Sequence, residues 1–385
     1  MNILIINAGS TSIKFRLFSE NQNNLQELLS GIIDQKADSY FFKLTKAGAS
    51  YEWEVGEFGF GNAAGLILKE LNSKIIDKIG FRIVHGGEEF RDPIKLNTTV
   101  LKKLEKLSDL APLHNPPALK RIAEFQKVFP EVPIYGVFDT AFHKTIPEKA
   151  FLYALPYEYY KTYQIRRFGF HGISHQFVSS IFQKLEPQAQ KVISCHLGGG
   201  ASMTAILEGQ SIDTSMGFTP LEGLIMATRP GDIDDGAIHY LMGKLHYEVK
   251  DMQHLENEES GLKGISGITG DLRQLIELEK QGNTRAKLAI DMYVYRIQKY
   301  IGSYAAALNG VDGLIFTAGV GAGSDYIRSR IISGLEFLNL RIAPQLNQGK
   351  INVAENLKIS TQDSAPIWVI PTNEELQIAR EIRGL

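Results

Sequence analysis

The chain has 385 residues, 44% hydrophobic and 22% charged, with a formal net charge of −2. That length and composition suit two domains with sizeable cores and exclude a disordered chain, and the lack of a basic excess argues against nucleic acid as a partner. A single cysteine, Cys195, an N-terminus without a basic leader, and no apolar run near the ~20 residues of a membrane span together fit a cytoplasmic protein with no membrane partner.

In chain order, residues 2–18 (NILIINAGSTSIKFRLF) read as a strand, a tight Gly/Ser turn and an antiparallel strand. Helical spacing of apolar residues follows at 99–108 and 117–128. About half a chain later, residues 191–207 (KVISCHLGGGASMTAIL) repeat the strand, glycine turn and strand of the N-terminus. Two such units suggest a duplicated domain with a cleft between the halves. Residues 284–308 form a long helix, with Leu288, Met292, Tyr295, Ile297, Ile301, Tyr304, Ala305 and Leu308 on one core-facing stripe. Gly313–Thr317 is a strand that enters a glycine turn, Ala318–Gly323. A helix then starts with Ser324 or Asp325 as its cap. Residues 372–384 look like a C-terminal helix with early carboxylates. Strands alternating with helices indicate an α/β architecture.

Asn7 ends a buried strand before Gly9, Ser12 and Lys14, where small residues, hydroxyls and a lysine suit an anion, or an ordinary hairpin turn. His196 to Gly200 brings three consecutive glycines, whose bare backbone suits a phosphate, or a flexible loop. Arg82, Arg229, Asp139 and His171 are candidate site groups; taken singly, each is equally at home in an ion pair or a structural bond. Asn7, Asp139, His196 and Gly319 directly follow predicted strands, and α/β sites lie at the carboxyl ends of strands. From the residues alone, this is an α/β protein with phosphate-binding turns.

Eight segments then carry a resemblance: NAGSTSIK at 7–14, RIVHGG at 82–87, APLHNPP at 111–117, VFDTAFH at 137–143, GFHGISH at 169–175, SMGFTPLEG at 215–223, FTAGVG at 316–321 and IPTNEEL at 370–376. In order and almost end to end, they resemble the acetate kinase family, which includes propionate kinases. The resemblance implies a duplicated, ribonuclease H-like fold of the actin, hexokinase and Hsp70 type, with a central cleft. The first domain would be residues 1–145 plus a returning helix at 375–385, and the second residues 146–374. It implies a homodimer. It also implies reversible transfer of the ATP γ-phosphoryl group to acetate or propionate with Mg²⁺, or Mn²⁺ in its place.

By the same resemblance Asn7 and Glu374 hold the metal, and Ser12 and Lys14 contact phosphate. Arg82 and Arg229 grip the carboxylate and the phosphoryl group, His171 stabilises the transition state, and Asp139 is the catalytic aspartate. His196, Leu197, Gly198, Gly199 and Gly200, then Asp271, Leu272 and Arg273, then Gly319, Val320, Gly321, Ala322 and Gly323, are the three ATP-contacting segments. Val84, Leu113, Phe170 and Pro220 form the pocket for the acid's alkyl group. The sequence departs from the family pattern at Gly199 (usually Asn), at Gly319–Gly323 (usually Gly-Ile-Gly-Glu-Asn) and at Asp235 (usually Pro). Those departures keep two alternatives in view: another phosphoryl donor such as pyrophosphate, or a non-catalytic nucleotide-binding protein.

Overall fold

Ile3 to Ile6 are fully buried within Asn2–Ala8 (β1), an unbroken apolar run suited to a central strand covered on both faces. In a computed structural model, which describes residues 1–9, 12–22, 24–36, 39–55, 62–71, 75–110, 115–347 and 355–385, the chain divides into two units. One is Met1–Ala141 with Asn373–Leu385; the other is Phe142–Thr372.

In the first unit, β1 is followed by Ser12–Asn21 (β2), Asn24–Lys36 (β3), Ser39–Lys46 (β4), Ala49–Glu54 (β5), Lys78–Ile83 (β6), Ile94–Lys95 (β7) and Ile134–Phe138 (β8). They form one sheet in the order β5-β4-β3-β2-β1-β6-β8-β7. Strands β1 to β5 are an antiparallel meander, whereas β1, β6 and β8 run parallel. One core cluster joins Leu4, Ile6 and Phe81 of the sheet to Ile67, Ile122 and Phe125, which come from the helices Ala63–Glu70 and Asn115–Val128. The C-terminal helix, Glu374–Ile382, packs against β1 and β6. Gly80 makes that close approach feasible: a methyl built there would meet Ile5, Ile378 and Ile382 within 2.9 Å.

In the second unit, Lys191–Leu197 (β9), Ala201–Leu207 (β10) and Gln210–Thr214 (β11) form an antiparallel meander. Gly313–Thr317 (β12) lies parallel to β9, and Ile367–Val369 (β14) lies parallel to β12, with Leu357–Lys358 (β13) at the edge. The order β11-β10-β9-β12-β14 repeats β3-β2-β1-β6-β8 of the first unit strand for strand and direction for direction. The repeated hairpin in the sequence is therefore the start of a duplicated α/β unit.

Thr284–Leu308 is one helix, capped by the Asn283 side chain, which accepts the Ala286 N–H at 2.9 Å. Its buried face is Ile290, Tyr293, Ile297, Ile301, Tyr304 and Leu308. Leu288, Met292 and Tyr295, expected on that face, are exposed. The helix is apolar on two sides, and the sequence pattern merged them into one stripe. Ala318–Gly323, expected as a turn, is a short helix leading directly into the helix Asp325–Ile332, whose cap is Ser324.

Candidate active site

Because β1, β6 and β8 are parallel, their carboxyl ends share one edge of the first sheet. Asn7 near the end of β1, Arg82 in β6 and Asp139 just after β8 meet there. The Arg82 guanidinium donates to Asp139 Oδ2 at 2.5 Å and to Asn7 Oδ1 at 3.3 Å, and its Nε lies 3.6 Å from Glu374 Oε2. Asn7 Nδ2 reaches Glu375 Oε1 at 3.5 Å, and Glu375 pairs with Arg16 at 3.3 Å. Both glutamates stand in the first turn of the C-terminal helix, which Asn373 caps by accepting the Leu376 N–H.

Three carboxylates thus surround Arg82. Burial works to lower the arginine's pKa, but Asp139 and then Glu374 overcome it and raise the value further above its ordinary one. Glu374 is pushed up to about 7, first by burial and then by the charges of Asp139 and Glu375, against the pull of Arg82 and Lys14. Carboxyl oxygens crowded beside Asn7 at one sheet edge offer hard donors to a cation. Among the described residues no group of three or more His, Cys, Asp or Glu is arranged to enclose an ion. Hard oxygen donors without a closed protein cage fit Mg²⁺, which takes one or two carboxylates and leaves the rest of its shell to water and phosphate.

Ser12 opens β2, and its carbonyl accepts the Gly9 N–H at 2.8 Å, closing the first turn. Lys14 stands opposite Asn7 in the strand register and is exposed. Val84 is half-buried just beyond β6, and Leu113 lies outside the described residues.

In the second unit His171 precedes the helix Gly172–Leu185 with φ of +55°, a left-handed conformation uncommon for a residue with a side chain. Its ring stacks on His196 of β9, with centroids 4.1 Å apart and planes 14° from parallel. Gly200 lies beside both this ring and Arg229: a methyl there would stand 3.6 Å from His171 Nε2 and 3.9 Å from Arg229 Nη1. Arg229 Nη1 also donates to the Pro220 carbonyl at 3.4 Å. Among the described residues no carboxylate comes within ion-pair distance of Arg229, and burial lowers its pKa from the ordinary value. Phe170 is buried, and its carbonyl accepts a hydrogen bond from His143 Nε2 at 3.0 Å.

The three glycine-rich or capping segments converge. Gly198 and Gly199, then Asp271, Leu272 and Arg273, then Gly319, Val320 and Gly323 line one cavity of about 920 Å³. Its walls are completed by Ala227, Gly270 and Tyr326, among others. This volume suits a nucleotide-sized ligand. Asp271 caps the helix Leu272–Lys280 by accepting the Arg273 N–H, and Arg273 folds back on it at 2.7 Å. His196, Leu197, Gly200, Gly321 and Ala322 adjoin these segments in sequence without lining the cavity.

Sequence reasoning passed over several groups. Arg328 is fully buried beneath the Ala318–Gly323 helix, donating to the carbonyls of Gly321 and Ala322 at 2.9 and 3.0 Å and to Asn347 at 2.7 Å. Burial lowers its pKa to about 10. The signal was an arginine on the apolar face of a helix, flanked by Ile327 and Ile331. Glu375 was overlooked beside Glu374, as were Ser174, His175, Ser194 and Ser202, whose polar side chains are buried behind His171 and His196.

Comparison with known proteins bears on both regions. A model of the Acetokinase family matches residues 2–380. Acetate kinases of Geobacillus sp. (strain WCH70) and Bacillus subtilis (strain 168) are 45% and 44% identical, each covering 99% of this chain and 98% of the relative. Among solved structures, a Porphyromonas gingivalis acetate kinase is 37% identical with a TM-score of 0.90. A Francisella tularensis propionate kinase is 38% identical with a TM-score of 0.93. Both alignments cover 100% of this chain and 99% of the other.

Proposed function

This chain belongs to the acetokinase family, and on that premise we propose how its own residues carry a phosphoryl group from ATP to a short carboxylate. It is a carboxylate kinase, a phosphotransferase with a carboxyl acceptor and ATP or ADP as co-substrate. A carboxylate oxygen attacks the γ-phosphorus, the bond to the β-phosphate oxygen breaks, and acyl phosphate and ADP leave.

The obstacle is charge. Two like charges ~4 Å apart repel by about 4 kcal/mol at an effective dielectric near 20, and an acid meeting a triphosphate faces several such pairs. Arg229 is the observation that carries the reading: a half-buried guanidinium without a carboxylate partner among the described residues, beside His171 and Gly200. Such a group is poised for an incoming anion. Arg229 takes charge on the transferring phosphoryl group and His171 donates to it, while Arg82 holds the acid's carboxylate. The ionised acid needs no general base. Asp139, bonded to Arg82, therefore acts by orientation. Catalysis is positioning and charge stabilisation.

The 920 Å³ cavity takes the nucleotide, with its phosphates toward the walls at Gly198, Gly199, Gly319 and Gly323, and Ser12 and Lys14 are further phosphate contacts. Asn7 and Glu374 hold Mg²⁺, or Mn²⁺, with water completing the shell; the ion would draw charge from the triphosphate as the transfer proceeds. Val84, Leu113, Phe170 and Pro220 serve the acid's alkyl end. Valine at position 84 narrows that pocket toward acetate, although one methylene is worth only ~1–3 kcal/mol of discrimination.

The protein acts as a homodimer. The helix Asp235–Leu245 has no buried residue of its own, and Leu288, Met292 and Tyr295 present an apolar face, which a second copy would cover. Among the described residues no helix is long and apolar enough to cross a membrane. The buried free thiol of Cys195 suits a reducing cytoplasm.

The test is hydroxylamine-trapped acyl phosphate formed from ATP and Mg²⁺ with acetate, propionate or butyrate. Acid-dependent product is expected, with the highest kcat/KM for acetate. No product with any of the three acids would contradict the reading.

A further inference from the structure

Behind the two stacked histidines lies a chain of buried hydroxyls and imidazoles. Ser202 Oγ bridges His171 Nδ1 at 2.9 Å and His175 Nε2 at 2.8 Å. His175 Nδ1 in turn meets Ser194 Oγ at 2.9 Å. Ser194, Ser202 and His175 are all 0% exposed. From this geometry we infer that His175 is a positioning residue, which through Ser202 fixes His171 in the neutral tautomer with its proton on Nε2. The inference rests on the proposed role of His171 and deepens it.

Proton counting carries it. Leaving a buried hydroxyl proton unpaired costs desolvation that nothing repays, so a buried hydroxyl within hydrogen-bond reach of an acceptor donates to it. Among the described residues, the hydrogen-bond partner of the Ser194 side chain is His175 Nδ1. If His175 Nδ1–H donated, the Ser194 proton would be stranded, so Ser194 donates and Nδ1 accepts. Neutral His175 then carries its proton on Nε2 and donates it to Ser202 Oγ. Burial and the neighbouring histidines hold His175 neutral, well below the usual range.

Ser202 already accepts from His175, so its single proton goes to His171 Nδ1. His171 must then carry its own proton on Nε2, the nitrogen beside Gly200 and Arg229. A serine also sets the stacked partner: Ser174 Oγ, fully buried, bonds His196 Nδ1 at 2.8 Å, and the same counting has it donate. Two parallel imidazoles are thus each fed a hydroxyl proton at Nδ1, and both rings stay neutral without mutual repulsion. His171 reaches the transferring group as a fixed N–H donor that needs no reorientation during the reaction.

The experiment is ¹⁵N NMR of the full-length protein labelled at histidine, near neutral pH, with the His171 signals assigned by their loss in His171→Gln. The wild type should show His171 protonated at Nε2 and bare at Nδ1. In Ser202→Ala the two tautomers should mix, and kcat should fall on the order of 10- to 100-fold with KM for acid and nucleotide little changed. His175→Gln, whose amide can donate to Ser202, should keep more of kcat than His175→Leu. A wild-type His171 protonated at Nδ1, or at both nitrogens, overturns the inference whether or not the variants fold. So does an unchanged kcat in Ser202→Ala. Full activity in His171→Ala, which has no donor, would instead overturn the role of His171 on which the inference rests, and the two failures are separable.

Discussion

At Gly199 the chain gives up a side chain on the wall of the nucleotide cavity. A methyl built there has nothing within 4 Å, and Gly319 and Gly323 are equally open. Only Gly198 of the triplet is crowded by its own chain, with the Gly200 carbonyl 3.1 Å from a built methyl. The glycines at 199, 319 and 323 are therefore not demanded by packing, and all three line the cavity. Gly199→Asn should fold normally and lower the KM for ATP, through an added donor. Steady-state kinetics with ATP varied checks this; an unchanged or raised KM would contradict it. Asn7, Asp139 and His196 were legible singly, as polar groups at strand ends. Their partners were not: nothing in the spacing of Ser194, Ser202 and His175 reveals that three elements bring them into one hydrogen-bonded chain.

At the scale of elements, two helices contrast. Glu374–Ile382 is held by Ile378 and Ile382 against Gly80, and so delivers Glu374 and Glu375 to the carboxyl edge of the first sheet. Asp235–Leu245, by contrast, buries none of its residues. An isolated helix shorter than about 12–15 residues is marginal in water, so this one needs a covering surface. With Tyr240 68% exposed and Leu288 50% exposed, an apolar partner is favoured. Sedimentation at micromolar concentration should give a mass twice 42.9 kDa, and Tyr240→Glu with Leu288→Lys should shift it toward the monomer. A monomeric wild type would refute the dimer. Sequence periodicity located the 284–308 helix but assigned Leu288, Met292 and Tyr295 to the core. An exposed apolar residue looks the same in sequence as one facing the core.

For the whole molecule, the duplication was legible from two hairpins because each repeats a run of apolar residues, a glycine turn and a second run, whereas the strand order was not. The antiparallel extension β4–β5 and the edge strands β7 and β13 left no comparable signal. Buried histidines set the pH response. His85 is held down to about 4 by burial, and its Nδ1 accepts the Gly87 N–H at 2.9 Å, a bond that protonation would break. Burial and the neighbouring histidines lower His175 well below its usual range as well. Unfolded, both titrate near 6.5, so the unfolded chain binds more protons below that pH. Their stabilisation is complete above about 6.5 and is lost as pH falls toward 4, by roughly 1.4 kcal/mol per histidine per pH unit. Glu374, raised to about 7, acts oppositely, since the folded state holds its proton between about 7 and 4.5. In metal-free buffer the urea midpoint should therefore fall from pH 6.5 to 4.5, and fall more steeply in Glu374→Gln. A flat profile in that variant would refute the account of the buried histidines.

The central claim is that Arg229 is kept without a counter-ion for the reacting anion, whereas Arg82 is built into a carboxylate cluster. Measuring kcat and the thermal midpoint together for Arg229→Ala tests it most directly, with Arg82→Ala as the contrast. Arg229→Ala should lose on the order of 10³-fold or more in kcat while its midpoint stays at or above that of the wild type, because no buried carboxylate loses a partner. Arg82→Ala should lose both rate and stability, since it strands Asp139 beside Glu374. An active Arg229→Ala enzyme, or one whose rate falls only because it unfolds, would contradict the account.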